Sequence, residues 1–324
     1  MPSCRNTSAS CGTASEPAGA HAEPIELADG VVMIPGQVNT APFKGPDGNT
    51  VMFRAPEGWV VFDTGRYAEH TAKSIAHARA TGAPIAAVVN SHWHTDHIGG
   101  NPRIKAVFPD ATVYASGALE VALKGFIPQS IANARRYMES EGANPEQVSA
   151  IEHDLAIIEN PDALRPDVTI DGSRTMALAG RPFDVRVSQA ASYGDVWLVD
   201  AATGIVAAGD LITLPAPFLD TACPERWTAA LDELVAVPFT QVVPGHGPAL
   251  DRAAVERYRD MAHALRACAA SARTPAECGD EWLAAAGPLV GAHDRQYVTN
   301  AMGYYVGMLR NSDGIAKACA GEVG

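Results

Sequence analysis

Short apolar runs, separated by turns rich in Gly, Pro and Asn, dominate the chain from Ile25 onward. The strand-like runs of the first part are residues 31–34, 50–53 and 59–62. Their spacing, and the turns between them, predict a meander of antiparallel strands. Residues 68–81 favour a helix, which the following Gly-Ala-Pro sequence would end. The apolar run at 85–89 then predicts a short buried strand.

A second set of strand-like runs comes after residues that favour helix, at 117–123 and from 128 to about 158. These runs are residues 168–170, 174–178, 183–187, 196–199, 204–208 and 241–243. Further helices are predicted at 224–234 and at 251–272, where the composition becomes rich in Ala and Arg. Two strand-rich halves, each followed by helices, predict two sheets that are wrapped by helices.

The composition divides the chain into three parts. Residues 1–24 are rich in Ser, Ala, Thr and Gly and have almost no large apolar side chain, which predicts a disordered leader. The tripeptide at 20–22 resembles the end of a secretory signal, but no apolar segment precedes it, so a misplaced start and an ordinary flexible tail both stay open. Residues 25–250 are the predicted main domain, with a helical insertion at about 117–160, and residues 251–324 are a helical C-terminal extension.

The charge balance narrows the choice of partners. The formal net charge is -13, and Lys and Arg form no cluster, which argues against nucleic acid and anionic membrane surfaces. No stretch of about 18 apolar residues is present, so the sequence predicts no transmembrane helix. The expected partner is a small-molecule substrate, and no oligomeric state is assigned.

The number and spacing of the cysteines indicate the cellular compartment. None of the cysteines has CxxC spacing, which argues against a thiolate zinc site. Outside the leader, the cysteines are Cys223, Cys268, Cys278 and Cys319. Two disulfides among them would fit an oxidising compartment, so a periplasmic or secreted location is slightly favoured. Four thiols in a cytoplasmic protein remain the alternative, and four cysteines allow three pairings.

Four potential metal ligands lie directly after the predicted strand at 85–89. His92, His94, Asp96 and His97 fall within six residues. Side chains at i and i+2 of a strand point the same way, so His92 and His94 could share one ion, and Asp96 and His97 could reach a second. Imidazole and carboxylate are ordinary ligands of zinc and related metals. A polar loop with accidental histidines is the alternative that this density of ligands disfavours.

Three further motifs extend the pattern. They are Asp63-Thr64-Gly65 upstream, and Gly209-Asp210 and Pro244-Gly245-His246-Gly247 downstream. With these motifs in this order, the chain resembles the metallo-β-lactamase-fold hydrolases, in the glyoxalase II-like or β-lactamase-like branch, over about 25–250. The resemblance implies an α/β fold, a four-layer αββα sandwich with two metals at the rim between its sheets.

The resemblance also implies a role for each ligand. His92 and His94 would bind the first metal, Asp96, His97 and His246 would bind the second, and Asp210 would bridge both. Taken alone, Asp210 could be a helix N-cap and His246 a turn histidine. Asp63 is expected to support the site or form a turn rather than bind metal. The expected cofactor is Zn²⁺, one or two per chain, with iron as the alternative.

One position departs from the family pattern. The family supplies a third histidine to the first metal from a loop that corresponds to residues 188–195, and here Ala191 stands at its place. Alanine has no ligand atom, so the first metal keeps His92, His94 and Asp210. Three outcomes stay open: two metals with water at the vacant position, one metal in the second site, or a binding protein that has lost turnover.

The function that the resemblance implies is hydrolysis by a metal-bound hydroxide, because a metal lowers the pKa of bound water to about 7. The expected substrate bond is an ester, thioester, lactone or similar acyl bond, with Asp96 orienting the hydroxide or moving its proton. A β-lactam hydrolase and a degenerate metal- or ligand-binding relative are the alternatives, together with iron-dependent oxygenase chemistry. Residues 218–224 could form part of a pocket rim, but a plain loop is the favoured interpretation. The inserted helices and Tyr297, Tyr304 and Tyr305 could enclose substrate, and packing in the core is favoured for them.

Overall fold

The computed structural model describes residues 23–37 and 45–321, apart from the side chain of Ser312. The predicted leader, residues 1–24, lies outside this part of the chain except for its last two positions. Among the described residues, none of the helices has the length and apolar character needed to cross a membrane.

The first sheet has seven strands that follow one another in chain order, from β1 to β7. They are β1 (Ile25–Ala28), β2 (Val31–Ile34), β3 (Thr50–Ala55), β4 (Gly58–Phe62), β5 (Ile85–Val89), β6 (Thr112–Ser116) and β7 (Val168–Ile170). Strands β1 to β4 are antiparallel, as the turn-separated runs predict. Strands β4 to β7 are parallel, because helical connections separate them.

The second sheet has five strands in the order β12-β11-β10-β9-β8. They are β8 (Arg174–Leu178), β9 (Arg181–Gln189), β10 (Tyr193–Asp200), β11 (Ile205–Thr213) and β12 (Gln241–His246). Neighbours from β8 to β11 are antiparallel, whereas β11 and β12 are parallel. The carboxyl ends of β11 and β12 therefore meet at the same edge.

Helices cover both sheets. They are α1 (Ala68–Ala80), α2 (Thr95–Ile98), α3 (Asn101–Val107), α4 (Gly117–Lys124), α5 (Phe126–Met138), α6 (Pro145–Ile158), α7 (Pro224–Ala236), α8 (Arg252–Ala269), α9 (Pro275–Ala286), α10 (Arg295–Leu309) and α11 (Ser312–Ala320). Short 3₁₀ helices lie at Pro161–Leu164 and Gly287–Leu289. The stretch from 128 to 158, which favours helix throughout, forms two helices because Asn144 caps α6 with its side chain and Pro145 begins it.

The buried strands divide their side chains between two apolar layers. Phe53 and Phe62 belong to the layer between the sheets, where the ring of Phe53 lies 5.1 Å from that of Phe183 on β9. Trp59 and Val61 belong to the opposite layer, under α1 and α3. This alternation is the two-residue period of a strand that is covered on both faces.

The second sheet is covered in the same way. Its outward-facing Trp197 and Val206 pack with Leu231 of α7 and Tyr258 of α8. A separate apolar cluster joins α4, α5 and α6 to Trp93 beside the histidine motif. The order helices, sheet, sheet, helices confirms the predicted four-layer αββα sandwich.

Two disulfides cross-link the helical C-terminal region. Cys268 and Cys278 join α8 to α9, and Cys223 and Cys319 join the start of α7 to α11 across 96 residues. The two disulfides that the cysteine pattern favours are therefore present, and they pair Cys223 with Cys319 and Cys268 with Cys278.

Candidate metal centre

The predicted ligands converge because four strands end at the same rim. β5 ends at Val89, and the histidine motif follows it directly. Asp210 lies near the end of β11, and His246 is the last residue of the neighbouring parallel strand β12. Asp63 follows the last residue of β4, the strand paired in parallel with β5. The sequence places these residues far apart, and the sandwich brings them together.

His92, His94 and Asp210 form the first cluster, in which one ligand atom of each residue lies within 4.8 Å of the others. The Nε2 atom of His92 lies 2.7 Å from Nδ1 of His94 and 3.8 Å from Oδ2 of Asp210. The two imidazoles thus present nitrogen atoms to one small space, as the i and i+2 spacing predicts.

Asp96, His97 and His246 form the second cluster, within the same 4.8 Å limit. Oδ2 of Asp96 lies 3.1 Å from Nε2 of His246 and 3.5 Å from Nε2 of His97. Oδ1 of Asp210 lies 3.3 Å from Nε2 of His97 and 3.5 Å from Nε2 of His246. Asp210 therefore directs one oxygen towards each cluster, which is the geometry that a bridging carboxylate needs.

Two buried atoms in the centre support a cation there. Nε2 of His97 and Oδ1 of Asp210 have no hydrogen-bond partner among the described residues. Buried polar atoms are nearly always paired, because leaving them unpaired costs free energy. A cation between these two atoms would satisfy both, so the residues present fit a metal ion.

The histidine nitrogens that face away from the clusters are also held. Asp63 accepts hydrogen bonds from the Ser91 backbone N–H at 2.7 Å and from the Ser91 hydroxyl at 2.7 Å, and its Oδ2 lies 2.8 Å from Nδ1 of His97. Because the Ser91 hydroxyl donates to Asp63, it can accept from Nδ1 of His92 at 2.9 Å. These bonds place the ring protons on Nδ1 of His92 and His97, so both Nε2 atoms keep a lone pair that faces the other residues of the clusters.

Carboxylates dominate the electrostatics of the second cluster. Burial alone would lower the pKa of His97, but Asp210, Asp63 and Asp96 outweigh it and raise that pKa well above its usual range. The pKa of His246 is raised in the same way against the effect of burial. Burial would raise the pKa of Asp96, yet His97 and His246 hold it well below its usual value. A site that favours positive charge on its histidines is one that favours a cation.

The first cluster behaves differently. Burial lowers the pKa of His94 to about 4, and burial together with the neighbouring histidines lowers the pKa of His92 well below its usual value. Both imidazoles are therefore neutral at pH 7 and keep a free lone pair, which is the form that binds metal.

The loop that carries Ala191 lies against the first cluster. Asp195 fixes this loop by accepting hydrogen bonds from the backbone N–H groups of Ala190 at 2.9 Å and Ser192 at 3.0 Å. The hydroxyl of Thr221 donates to the Ala191 carbonyl at 2.7 Å and lies 3.2 Å from Nε2 of His94. A hydroxyl has a single proton to donate, so its oxygen accepts from Nε2 of His94 and leaves Nδ1 free to face His92.

One glycine is required by close packing at the centre. A Cβ atom added at Gly245 would lie 1.9 Å from Oδ1 of Asp210. The backbone of the His246 turn can approach the carboxylate of Asp210 only because no side chain stands between them. Asn49 fixes the same turn by donating to the carbonyls of Pro244 at 2.9 Å and Gly247 at 2.8 Å.

A cavity of about 1050 Å³ adjoins both clusters, and His94, Asp96, Asp210 and His246 line it. The plain-loop interpretation of residues 218–224 is wrong for Phe218, Asp220 and Thr221, which also line the cavity. Tyr297 and side chains of the inserted helices contribute to the walls. The core-packing interpretation is wrong for Tyr297 and Tyr304, which are exposed, and is confirmed for Tyr305, which is buried.

Several cavity residues were not singled out by the sequence. Arg66, Trp93 and Phe126 line the cavity, and Thr221 contacts His94. The only sequence signal for Trp93 was its place inside the histidine motif. The other three come from separate loops or helices that only the tertiary fold brings together.

Comparisons with known proteins agree with this architecture. A family model described as the metallo-beta-lactamase superfamily matches residues 44–255. A β-lactamase domain protein from Burkholderia ambifaria superposes with a TM-score of 0.58 at 16% identity, covering 93% of this chain and 94% of that one. A metallo-β-lactamase from Pontibacter korlensis superposes with a TM-score of 0.52 at 20% identity, covering 74% of this chain and 98% of that one. At these identities the structural similarity concerns the fold.

Similarity in sequence to a curated protein is local. A hydroxyacylglutathione hydrolase from Crocosphaera subtropica is 49% identical over 35 residues, which are 11% of this chain and 14% of that protein. The chain thus matches only a small part of this relative, whereas the family model covers more than half of the chain. The chain belongs to the metallo-β-lactamase superfamily.

Proposed function

We propose that the protein is a metal-dependent hydrolase that cleaves an ester, thioester, lactone or similar acyl bond. The observation that carries this proposal is the convergence of two ligand clusters on one large cavity, with Asp210 between them. A substrate in that cavity would lie directly beside the ligands. Membership of the superfamily supports the same reaction class.

The proposed ligands are His92, His94 and Asp210 for one ion and Asp96, His97 and His246 for the other, with Asp210 shared. A divalent cation bound there would acidify a water molecule and polarise the substrate carbonyl. Imidazole and carboxylate donors suit zinc, one or two per chain, and iron is the alternative. The neutral imidazoles of the first cluster are ready to bind at pH 7, whereas a metal at the second cluster would displace the protons that the raised pKa values of His97 and His246 favour.

Asp96 is the proposed catalytic residue. Its carboxylate lines the cavity, is ionised because His97 and His246 lower its pKa, and lies 3.8 Å from the guanidinium of Arg66. From this position it can orient the attacking water and carry a proton to the leaving group. Water adds to the carbonyl carbon, the carbon–oxygen or carbon–sulfur bond breaks, and the products are a carboxylate, an alcohol or thiol, and one released proton.

The acyl bond is favoured over a β-lactam for two reasons. The shared ligand is a carboxylate, Asp210, which the resemblance associates with thioesterase, lactonase and phosphodiesterase branches, whereas the B1 and B2 β-lactamases carry cysteine there. The local relative is named as a hydrolase of hydroxyacylglutathione. A β-lactam hydrolase remains the competing reaction in the same class.

A second candidate is a protein that binds metal or ligand with little turnover. The observation that favours it is Ala191, which contributes only its backbone carbonyl next to His94, through Thr221. The first ion would then have one protein ligand fewer than the family pattern supplies.

Metal analysis of the purified protein, followed by a panel of ester, thioester, lactone and β-lactam substrates, tests the proposal. We expect zinc and hydrolysis of at least one acyl substrate, both strongly reduced in His246→Ala. His263→Ala is the matched control, because His263 lies on α8 and contacts Asp232 rather than the clusters. Iron would indicate oxygenase chemistry, and a metal-loaded protein inactive on the whole panel would exclude the hydrolase.

The two disulfides support a periplasmic or secreted location as part of the proposal. Expression with and without export, compared by thiol titration and metal content, would test it. A protein that is fully active while all four of these cysteines are free thiols would contradict this location.

A further inference from the structure

The walls of the cavity beside the metal centre are mainly apolar. On α5 and α6 the lining side chains recur with helical spacing, so each helix turns one apolar face to the cavity. The apolar members of these faces are Phe126, Ile127, Ala134, Ile151, Leu155 and Ile158. These two helices therefore supply a mainly apolar wall, which Ser130 and Asp154 interrupt.

Aromatic rings continue this surface up to the first cluster. The ring of Trp93 lies 4.6 Å from that of Phe126 and 4.5 Å from that of His94. The ring of Phe218 lies 5.2 Å from that of His94 on another side. A group bound next to His94 would therefore contact apolar carbon rather than water.

The charged groups around the cavity are mostly acidic. Asp154, Asp220 and Asp294 line it in addition to the proposed metal ligands. Among the described residues that line the cavity, Arg66 is the only lysine or arginine. Away from the proposed metal ions and the histidines that line the cavity, an anionic group on the substrate would therefore find only Arg66 as a cationic side chain in the described walls.

The charge of Arg66 is already compensated. Its Nη1 atom donates to both oxygens of Asp154 at 3.1 Å, and its Nη2 atom lies 3.8 Å from Oδ1 of Asp96. Burial would lower the pKa of Arg66, but Asp96 and Asp154 raise it, so the guanidinium stays charged and paired. A substrate carboxylate would have to displace Asp154 to reach it.

The acidic group at the mouth is held in place as well. Asp220 accepts hydrogen bonds from the hydroxyls of Tyr304 at 2.7 Å and Tyr305 at 3.2 Å. Neutral hydroxyl donors keep the carboxylate oriented without cancelling its charge. Asp220 therefore presents a fixed negative charge to a ligand that approaches along this wall.

From this lining, and resting on the proposed hydrolase function, we infer that the substrate is an electrically neutral ester, thioester or lactone with an extended apolar acyl group. The acyl chain lies against α5 and α6, and its carbonyl lies beside Asp96 and Asp210. A carboxylate buried in the same place would lose its hydration without gaining a free cationic partner, which costs binding free energy. This substrate class excludes glutathione thioesters, which carry carboxylates, so the local relative supports the kind of bond cleaved and not the glutathione group.

The test uses the zinc-loaded full chain and three thioesters of the neutral thiol N-acetylcysteamine: acetyl, hexanoyl and adipoyl. Hexanoyl and adipoyl chains have equal length and differ by a terminal carboxylate. We expect kcat/KM for hexanoyl to exceed that for acetyl by at least about tenfold, because each buried methylene contributes roughly fourfold when fully buried. We expect hexanoyl to exceed adipoyl by at least about tenfold as well. Hexanoyl glutathione tests the leaving-group side and should be the poorer substrate.

A variant locates the acyl site. Ala134→Phe should lower the hexanoyl-to-acetyl ratio, since Ala134 lines the cavity on α5. Ala132→Phe, on the exposed face of the same helix, is the matched control and should leave the ratio unchanged. Because the ratio is also measured on the unaltered protein, the inference stays testable if Ala134→Phe fails to fold.

The outcomes separate the two proposals. Hydrolysis with a preference for adipoyl or for the glutathione thioester would overturn the neutral, apolar substrate and leave the hydrolase intact. Hydrolysis with equal rates for acetyl and hexanoyl would overturn the acyl surface on α5 and α6. If none of the acyl substrates is cleaved, the proposed function itself fails, and the substrate class fails with it.

Discussion

Replacing Asp63 by Asn should weaken metal binding at the second cluster while preserving the local backbone. Asp63 is fully buried and has a φ of 59°, in the left-handed region that Asn tolerates about as well as Asp. The substitution is also nearly isosteric. Its effect therefore comes from the lost carboxylate oxygen and not from strain or from a cavity.

The magnitude follows from the bonds at Asp63. Its two oxygens receive the backbone N–H and the hydroxyl of Ser91, together with Nδ1 of His97. The Asn amide offers one oxygen and one NH₂ group, so at least one of these buried donors would face another donor, at a cost of about 1–3 kcal/mol. Loss of the carboxylate that orients a ligating histidine typically weakens metal affinity by about tenfold to a hundredfold.

The assay measures zinc affinity by competition with a chromophoric chelator, and the free energy of unfolding of the metal-free protein by urea. Asp200→Asn is the matched control, because Asp200 is also buried and pairs with Arg181 but lies beside the start of β11, at the other end of that strand from Asp210. We expect both variants to lose stability and only Asp63→Asn to lose zinc affinity.

A zinc affinity within about threefold of the unaltered protein, accompanied by the same loss of stability as in Asp200→Asn, would refute the reasoning. Asp63 would then serve the fold alone, and the hydrogen bond to His97 would have no consequence for the ligand.

Three further predictions concern the surrounding structure. Ala191→His should raise zinc occupancy of the first cluster and the hydrolytic rate, and unchanged metal content and activity would contradict the assignment of that loop. Burial raises the pKa of Asp195 from its ordinary value of 3.8 to about 7. Between these two pH values the folded chain keeps the Asp195 proton, whereas the unfolded chain has released it. The free energy of unfolding should therefore fall as pH rises from about 4 to about 7. Urea denaturation at a series of pH values measures this fall, and Asp195→Asn should reduce it. If the variant shows the same dependence on pH, Asp195 is not the group responsible. Cys319→Ser should cost about 5 kcal/mol of stability and Cys278→Ser about 3 kcal/mol, since the first disulfide closes the longer loop, and an inverted order of thermal midpoints would contradict this entropic account.

The sequence predicts the fold class because its signals are local and agree with one another. Short apolar runs mark strands that are buried on both faces, and the turn residues between them mark where the chain reverses. Helix ends were less well predicted. The break at 139–144 was missed even though Asn144 and Pro145 are a helix-start signal, because the surrounding residues all favour helix.

The candidate ligands were identifiable for the same reason. His92 to His97 are dense in sequence, and Asp210 and His246 each follow a recognisable apolar run. The cavity was not. Arg66, Thr221 and Phe126 are ordinary residues in a loop or helix, and their importance depends on distances that only the packing of the inserted helices and the second sheet creates.

The disulfide between Cys223 and Cys319 sets an order for the maturation of the protein. Cys223 follows Thr221 closely, and its backbone N–H donates to the carbonyl of Ala190 at 3.1 Å, so it anchors the loop beside the first cluster. Its partner is synthesised 96 residues later, after the helices of the C-terminal region. That side of the pocket therefore receives its covalent support only after the distal helix has been synthesised and Cys319 has been oxidised to the disulfide.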